Sequence, residues 1–153
     1  MKYEEFRLAI GATNDAEIKE ENKKLCERYP FLKYRSEWSG EDIAGYDYDF
    51  TYLDDMPSGW KKAFGIKMCE ELRDILIKGN YLDEYRVVQV KEKFGALRWY
   101  DNGVPRAISD EYLAWLSKYE NLSEHTCIVC GEPGPIRTAG WISPYCDKCY
   151  KKT

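Results

Sequence analysis

Thr126-Cys127-Ile128-Val129-Cys130-Gly131 and, further on, Trp141-Ile142-Ser143-Pro144-Tyr145-Cys146-Asp147-Lys148-Cys149 are the stretches that decide this chain. They hold two Cys-x-x-Cys pairs separated by the fifteen residues 131–145. A structural zinc ion takes four ligands at tetrahedral corners and favours thiolates. A Cys-x-x-Cys turn places two sulfurs on one side of an ion, with backbone amides aimed at them. Gly131, directly after Cys130, suits the left-handed backbone that closes such a turn. The intervening loop is long enough for a short hairpin that brings the second pair back, and the spacing lies in the range of paired-cysteine zinc sites. The expected ligands are Cys127, Cys130, Cys146 and Cys149, holding one structural ion. Four thiolates leave no open position for an activated water, so the site is structural.

Two disulfides, or a redox pair, are the competing readings. The start of the chain, Met1-Lys2-Tyr3-Glu4-Glu5-Phe6, is charged and has no apolar signal segment, so a reducing, cytoplasmic setting is expected. Thiols there bind metal more often than they pair. A thioredoxin-like site wants one Cys-x-x-Cys after a strand, whereas this chain carries two near its end. Cys26 and Cys69 stand alone and are expected to be reduced and partly buried.

Outward from the cysteines, 153 residues with 44% apolar content bound a folded domain with a core. Thirteen Tyr and five Trp make it aromatic, suited to packing and to recognition surfaces. The net charge of −4 argues against general attraction to nucleic acid, and no apolar run is long enough to span a membrane. Charge is uneven: residues 31–57 carry two basic and seven acidic groups, and residues 58–100 carry nine basic and six acidic.

Residues 3–10 pattern as a short helix. Asn14 and Glu17 resemble a capping box for a helix running to about Arg28, with a thin stripe of Ile18, Leu25 and Tyr29. Residues 45–52 alternate strictly, which predicts a strand with Tyr46, Tyr48, Phe50 and Tyr52 on one face and Asp47, Asp49 and Thr51 on the other. Its wet acidic face has an ordinary explanation in alternation alone, and a sharper one in a metal or partner site drawing on Asp54 and Asp55. A helix capped by Ser58 or Asp55 is expected over 59–78, with Trp60, Phe64, Met68, Cys69, Leu72, Ile75 and Leu76 inward and Gly79-Asn80 as its stop. Residues 85–90 and 96–100 read as a hairpin joined through 91–95. Ser109 caps a further helix, with Ile108 and Leu113 at staple positions and a stripe of Tyr112, Leu113, Leu116 and Tyr119. Residues 136–138 and 141–143 pair as the small hairpin between the cysteine turns. The fold expected is α+β: a small mixed helix and antiparallel-sheet body with a C-terminal four-cysteine zinc ribbon. It divides into an N-terminal helical extension (1–30), a body (31–122) and the ribbon (123–153).

The chain resembles a family of small uncharacterised proteins of bacteriophages and of bacteria carrying prophages. The matching stretches are Tyr29-Pro30-Phe31-Leu32, Asp54-Asp55-Met56-Pro57-Ser58-Gly59-Trp60 with Lys62-Ala63-Phe64-Gly65, Gln89-Val90-Lys91-Glu92-Lys93-Phe94-Gly95 with Leu97-Arg98-Trp99-Tyr100, and Gly140-Trp141-Ile142-Ser143-Pro144-Tyr145-Cys146. The resemblance implies a phage-linked protein of the bacterial cytoplasm with a zinc ribbon, and carries no catalytic residue over.

Three functions are weighed. The first is a non-catalytic protein that binds a host protein, for example a defence component, through Trp38, Tyr46, Asp47, Tyr48 and Asp49, the aromatics giving contact area and the carboxylates steering a basic partner. The second is nucleic-acid binding through Lys91, Lys93, Phe94, Arg98 and Trp99, where basic groups interleave with aromatics. The third is a metal-dependent nuclease in which Gln89-Val90-Lys91 lies on a strand, an upstream Asp holds the metal and Lys91 steadies the attacked phosphate. No Ser-His-Asp set or Gly-rich phosphate loop is present, and the single histidine, His125, reads as a neighbour of the ribbon. The first reading is preferred.

Overall fold

Trp60, Phe64, Met68, Leu72 and Leu76 recur at a strict spacing of four, and all five are fully buried. In a straight α-helix such a row drifts by about 40° per step, since 3.6 residues make a turn. The helix that carries the row absorbs part of this drift. It runs as Ser58–Trp60, a π-helical turn Lys61–Gly65, and Ile66–Lys78, and is called α2 here. The wider i→i+5 turn rephases the stripe. The stop falls at Gly79, whose N–H bonds the carbonyl of Ile75, and Asn80 turns the chain with φ +51°.

The computed structural model describes residues 14–36 and 39–153. The expected helix over 3–10 and the candidate contact Trp38 lie outside them. Helix α1 is Asp15–Arg28, capped as expected by Asn14, whose Oδ1 accepts from the Glu17 N–H at 3.0 Å. Leu25, Cys26 and Tyr29 enter the common core, so this helix docks by its C-terminal half. Arg28 and the Tyr29 hydroxyl both bond Glu70 of α2.

Strands β1 (Val87–Lys93) and β2 (Ala96–Asp101) form an antiparallel hairpin, with Val90 opposite Trp99 and Lys91 opposite Arg98. The connection is shorter than the expected 91–95: the strands pair through Lys93 and Ala96, leaving only Phe94 and Gly95 in the turn. Both have positive φ, +53° and +86°. This is the backbone of the two-residue turn whose twist matches the strands. Helix α3 (Ser109–Ser123) packs on β2 and α2. Its buried stripe is Tyr112, Trp115, Tyr119 and Ser123. Leu113, expected inside, is 56% exposed. Ser109 makes no cap bond, and Ile108 packs instead against Gly79. Trp115 takes the inward place, with its ring edge-on to Trp99 and its indole N–H donating to the Met68 carbonyl at 2.9 Å. The Trp99 N–H likewise reaches the Tyr85 hydroxyl, and the Trp60 N–H the carbonyl of Thr126. Each of these large rings is buried without an orphaned donor.

The expected strand over 45–52 does not form. Tyr48 has φ +66° and Gly45 φ +81°, and Tyr52–Asp55 is a 3₁₀ turn held by a capping box between Thr51 and Asp54. The aromatics cluster among themselves instead of lining a sheet. Tyr34 stacks on Tyr52 at 4.1 Å, Tyr46 tilts onto Tyr48 and meets Phe50 edge-on, and the Tyr46 hydroxyl bonds the Phe50 carbonyl. The period of two was present, but among the described residues no strand pairs with this segment.

The expected α+β architecture is present. Strands β3 (Ile136–Arg137) and β4 (Ser143–Pro144) form the small C-terminal hairpin, shifted from the expected pairing so that Ile136 faces Pro144 and Arg137 faces Ser143. Trp141 is left in the connecting loop. The chain closes with the short helix α4 (Asp147–Tyr150). Among the described residues no helix is long and apolar enough to cross a membrane.

Candidate metal centre

The two cysteine turns are shaped by their own backbone. Gly131, at φ +83°, returns its N–H to the Cys127 carbonyl at 3.1 Å, and the Cys127 N–H bonds the Glu132 carbonyl at 2.8 Å. The second turn is the start of α4, where the Cys149 N–H points at Cys146 Sγ, 3.4 Å away. The Glu132 N–H approaches Cys130 Sγ at 3.5 Å. One bond ties the two turns directly, from the Ile128 N–H to the Pro144 carbonyl at 3.0 Å.

These turns bring Cys127, Cys130, Cys146 and Cys149 together, with all four sulfurs within 4.8 Å of one another. Cys130 and Cys146 Sγ stand 3.6 Å apart. Tetrahedral coordination with metal–sulfur bonds of about 2.3 Å sets sulfur–sulfur edges of about 3.8 Å. The donor set therefore fits one metal ion. Cys127 and Cys149 are buried, while Cys130 and Cys146 are half-buried, so the cluster sits at the edge of the core. No disulfide is formed by any of the six cysteines.

The electrostatics divide the thiols. Burial opposes ionisation of Cys127, but amides of the two turns outweigh it and bring its pKa down to about 7. Burial raises Cys130. Cys149 is pushed up to about 12, first by its contact with Cys146 and then by burial. A cation bound there would have to displace the protons of the thiols whose ionisation is opposed. Cys26 and Cys69 are different: burial, outweighing the hydrogen bond from Tyr46, pushes Cys26 up to about 12, and burial with the nearby Glu70 raises Cys69, which keeps both as inert thiols.

The supports of the second turn were not read as such from the sequence. Arg137 donates to the Tyr145 carbonyl from Nε at 3.1 Å and from Nη2 at 3.0 Å, reaches Asp147 at 2.7 Å, and lies over the Tyr150 ring. Its guanidinium holds the Asp147 carboxyl below the usual range. Gly134 passes so close to this turn that a Cβ there would stand 2.5 Å from the Cys146 nitrogen. A lone arginine between two prolines and a glycine gave no sign of this job in one dimension.

The first turn is seated on α2. The expected caps of that helix, Ser58 and Asp55, do not bond its end: the Gly59 N–H donates to the Ile128 carbonyl at 2.9 Å. Asp55 instead accepts from the Tyr34 hydroxyl. Thr126, whose carbonyl receives the Trp60 indole, continues the contact. The small hairpin is seated on β1 and β2 through Ser143, which donates to Glu92 at 2.8 Å, and through Ile136 and Pro144 against Gly95. His125 is not part of the cluster; its Nδ1 bonds the Asn121 carbonyl.

Asp47 pairs with Lys19 at 2.9 Å, Asp54 with Lys61 at 3.2 Å, and Asp42 with Lys33 at 3.1 Å. Asp42, Asp47 and Asp54 are thus tied to lysines within the molecule, and Asp47, Asp49, Asp54 and Asp55 do not gather into a metal cluster. Tyr46 and Tyr48 are half-buried in the local aromatic group. Trp99 is buried in the core and offers no ring to a ligand, which removes it from the basic hairpin face. Lys91 and Arg98 are cross-strand neighbours, with Lys93 and Phe94 at the tip. Among the described residues no group of three acidic, histidine or cysteine ligands forms beside Lys91.

What fold and site define together is an α+β protein whose C-terminal hairpin is organised by a four-cysteine, metal-sized cluster. Comparison of the chain with protein-family models, curated proteins and solved structures found no match.

Proposed function

We propose that this is a non-catalytic, zinc-stabilised binding protein that acts through its surface on a macromolecule of a bacterial host. The observation that carries the reading is the convergence of Cys127, Cys130, Cys146 and Cys149 within 4.8 Å, on turns seated against α2 and the β1–β2 hairpin. Four thiolates suit zinc, and they fill its coordination sphere. The ion fixes the shape of a tail that has little apolar core of its own. The resemblance of Tyr29-Pro30-Phe31-Leu32 and the other quoted stretches to phage and prophage proteins supports a phage-linked role in the bacterial cytoplasm.

Of the two surfaces considered for the partner, the acidic one around Tyr46, Asp47, Tyr48 and Asp49 has Asp47 engaged by Lys19, and the nearby Asp42 and Asp54 engaged by Lys33 and Lys61. Its value for steering a basic host protein is reduced accordingly. The test of the zinc reading is removal of the ion. Chelation of purified protein is expected to lower the melting temperature and to release the hairpin amides of residues 136–144 to hydrogen exchange, because binding and folding are coupled. An unchanged melting curve after complete metal removal contradicts it.

A further inference from the structure

Lys91, Lys93, Arg98, Gln89 and Tyr100 alternate onto the outer face of the β1–β2 hairpin, opposite the core residues Val90, Leu97 and Trp99. No acidic side chain shares that face of the two strands. None of the three cations joins an ion pair with another described residue; Lys91 lies over the Tyr100 ring and Lys93 over the Phe94 ring. In a chain of net charge −4 this is a segregated basic strip.

The strip ends at an apolar groove of about 370 Å³ between the hairpin tip and the C-terminal loop, lined by Glu92, Lys93, Phe94, Gly140, Trp141 and Ile142. The two aromatics there are open to solvent, Phe94 at 67% and Trp141 at 73%. The acidic member of the lining, Glu92, is bonded to the Gly95 N–H at 2.9 Å and to the Ser143 hydroxyl. Phe94 also occupies a left-handed position, φ +53°, where Asn or Gly is the favourable choice. A bulky side chain that stands in strained backbone without gaining burial is a candidate for a contact role.

We infer that this strip and groove form a contact surface for single-stranded nucleic acid, with bases stacking on Phe94, Trp141 and Tyr100 and phosphates meeting Lys91, Lys93 and Arg98. Flat rings bordered by cations that have no ion-pair partner among the described residues match the two chemistries of an unstacked strand, and they read no sequence. A duplex, whose bases are already stacked, would leave the rings unused. The inference rests on the zinc reading, because the ion shapes the loop that carries Trp141.

The test is fluorescence anisotropy of a labelled oligothymidylate of about 16 nucleotides, the upper end of single-module site sizes, added to protein whose zinc content and melting have been measured on the same sample. Loaded protein is expected to bind at low salt, to weaken steeply as salt rises, and to prefer the single strand over a duplex of equal length. Lys93→Ala or Arg98→Ala should each reduce the salt slope by about one. Trp141→Ala should weaken binding about tenfold or more, from the loss of one stacked base. Loaded, folded protein that leaves the oligonucleotide free at low salt overturns the inference, as do preference for duplex and indifference to Trp141→Ala. So does a protein captured from host lysate, resistant to salt and lost in Tyr48→Ala, when the oligonucleotide does not bind. Metal-free protein that still binds through these residues keeps the surface and sinks the zinc reading; loaded protein that does not bind sinks the surface alone.

Discussion

The amide of Gly59, at the start of α2, is capped at 2.9 Å by the carbonyl of Ile128, which lies between the first two cysteines. A helix leaves its first amides without internal partners, and here the cysteine turn supplies the acceptor. The approach is close enough that a Cβ on Gly59 would stand 2.1 Å from the Cys127 carbonyl oxygen. Gly59→Ala is therefore expected to cost about 3 kcal/mol, combining overpacking with the loss of a buried hydrogen bond, and to speed metal loss to a chelator. Gly65→Ala, in the same helix, would meet nothing nearer than Leu53 at 3.5 Å. It should be neutral or raise stability by about 0.5–1 kcal/mol. Urea melts of the two variants make the comparison.

Arg137 grips the Tyr145 carbonyl with two nitrogens and Asp147 with one of them. A lysine cannot reproduce that fork. Arg137→Lys is expected to weaken metal affinity by about tenfold to a hundredfold, as loss of outer supports does elsewhere, while the far-ultraviolet spectrum of the loaded protein is kept. Competition with a chromophoric chelator measures it.

Phe94 stands in left-handed backbone and is exposed. Phe94→Asn should raise stability by about 1 kcal/mol, because strain of this size is stored in such positions, and should weaken oligonucleotide binding. Opposite signs in the urea midpoint and in the anisotropy titration are the expected result. Loss of both, or gain of both, contradicts the role given to this ring.

Glu70 is held below the ordinary carboxylate range by its bonds to Arg28 and to the Tyr29 hydroxyl. A carboxyl lowered on folding contributes stability that is fully present above its ordinary pKa of 4.5 and is lost as pH falls through the lower folded value. Melting temperature followed downward from pH 6 should therefore fall less steeply in Glu70→Gln than in the parent chain. Parallel curves would remove Glu70 from the acid response.

Much of this architecture was legible because its signals are local. The cysteine spacing announced a four-sulfur cluster, and the apolar row from Trp60 to Leu76 announced α2. The misreadings have one physical source: the partner that decides each element lies far away in sequence. Strict alternation at Tyr46–Tyr52 suits a strand but is not sufficient for one, and no neighbour among the described residues pairs with it. Leu113 fitted the helical period as well as Trp115 did, and only the positions of Trp99 and Met68 select the tryptophan. Ser58 and Asp55 were reasonable caps by composition, but the acceptor came from Ile128. Trp99 and Trp141 are indistinguishable as sequence letters, yet one is core and the other is among the most exposed large rings described.

The central claim is that four thiolates hold a single zinc ion and so give the tail its shape. Native mass spectrometry of the purified chain, before and after mild acid, tests it most directly. The account predicts one zinc per chain at neutral pH, released together with collapse of the folded charge-state distribution toward that of a partly unfolded protein. A metal-free mass for a chain that is fully folded in neutral buffer would contradict it.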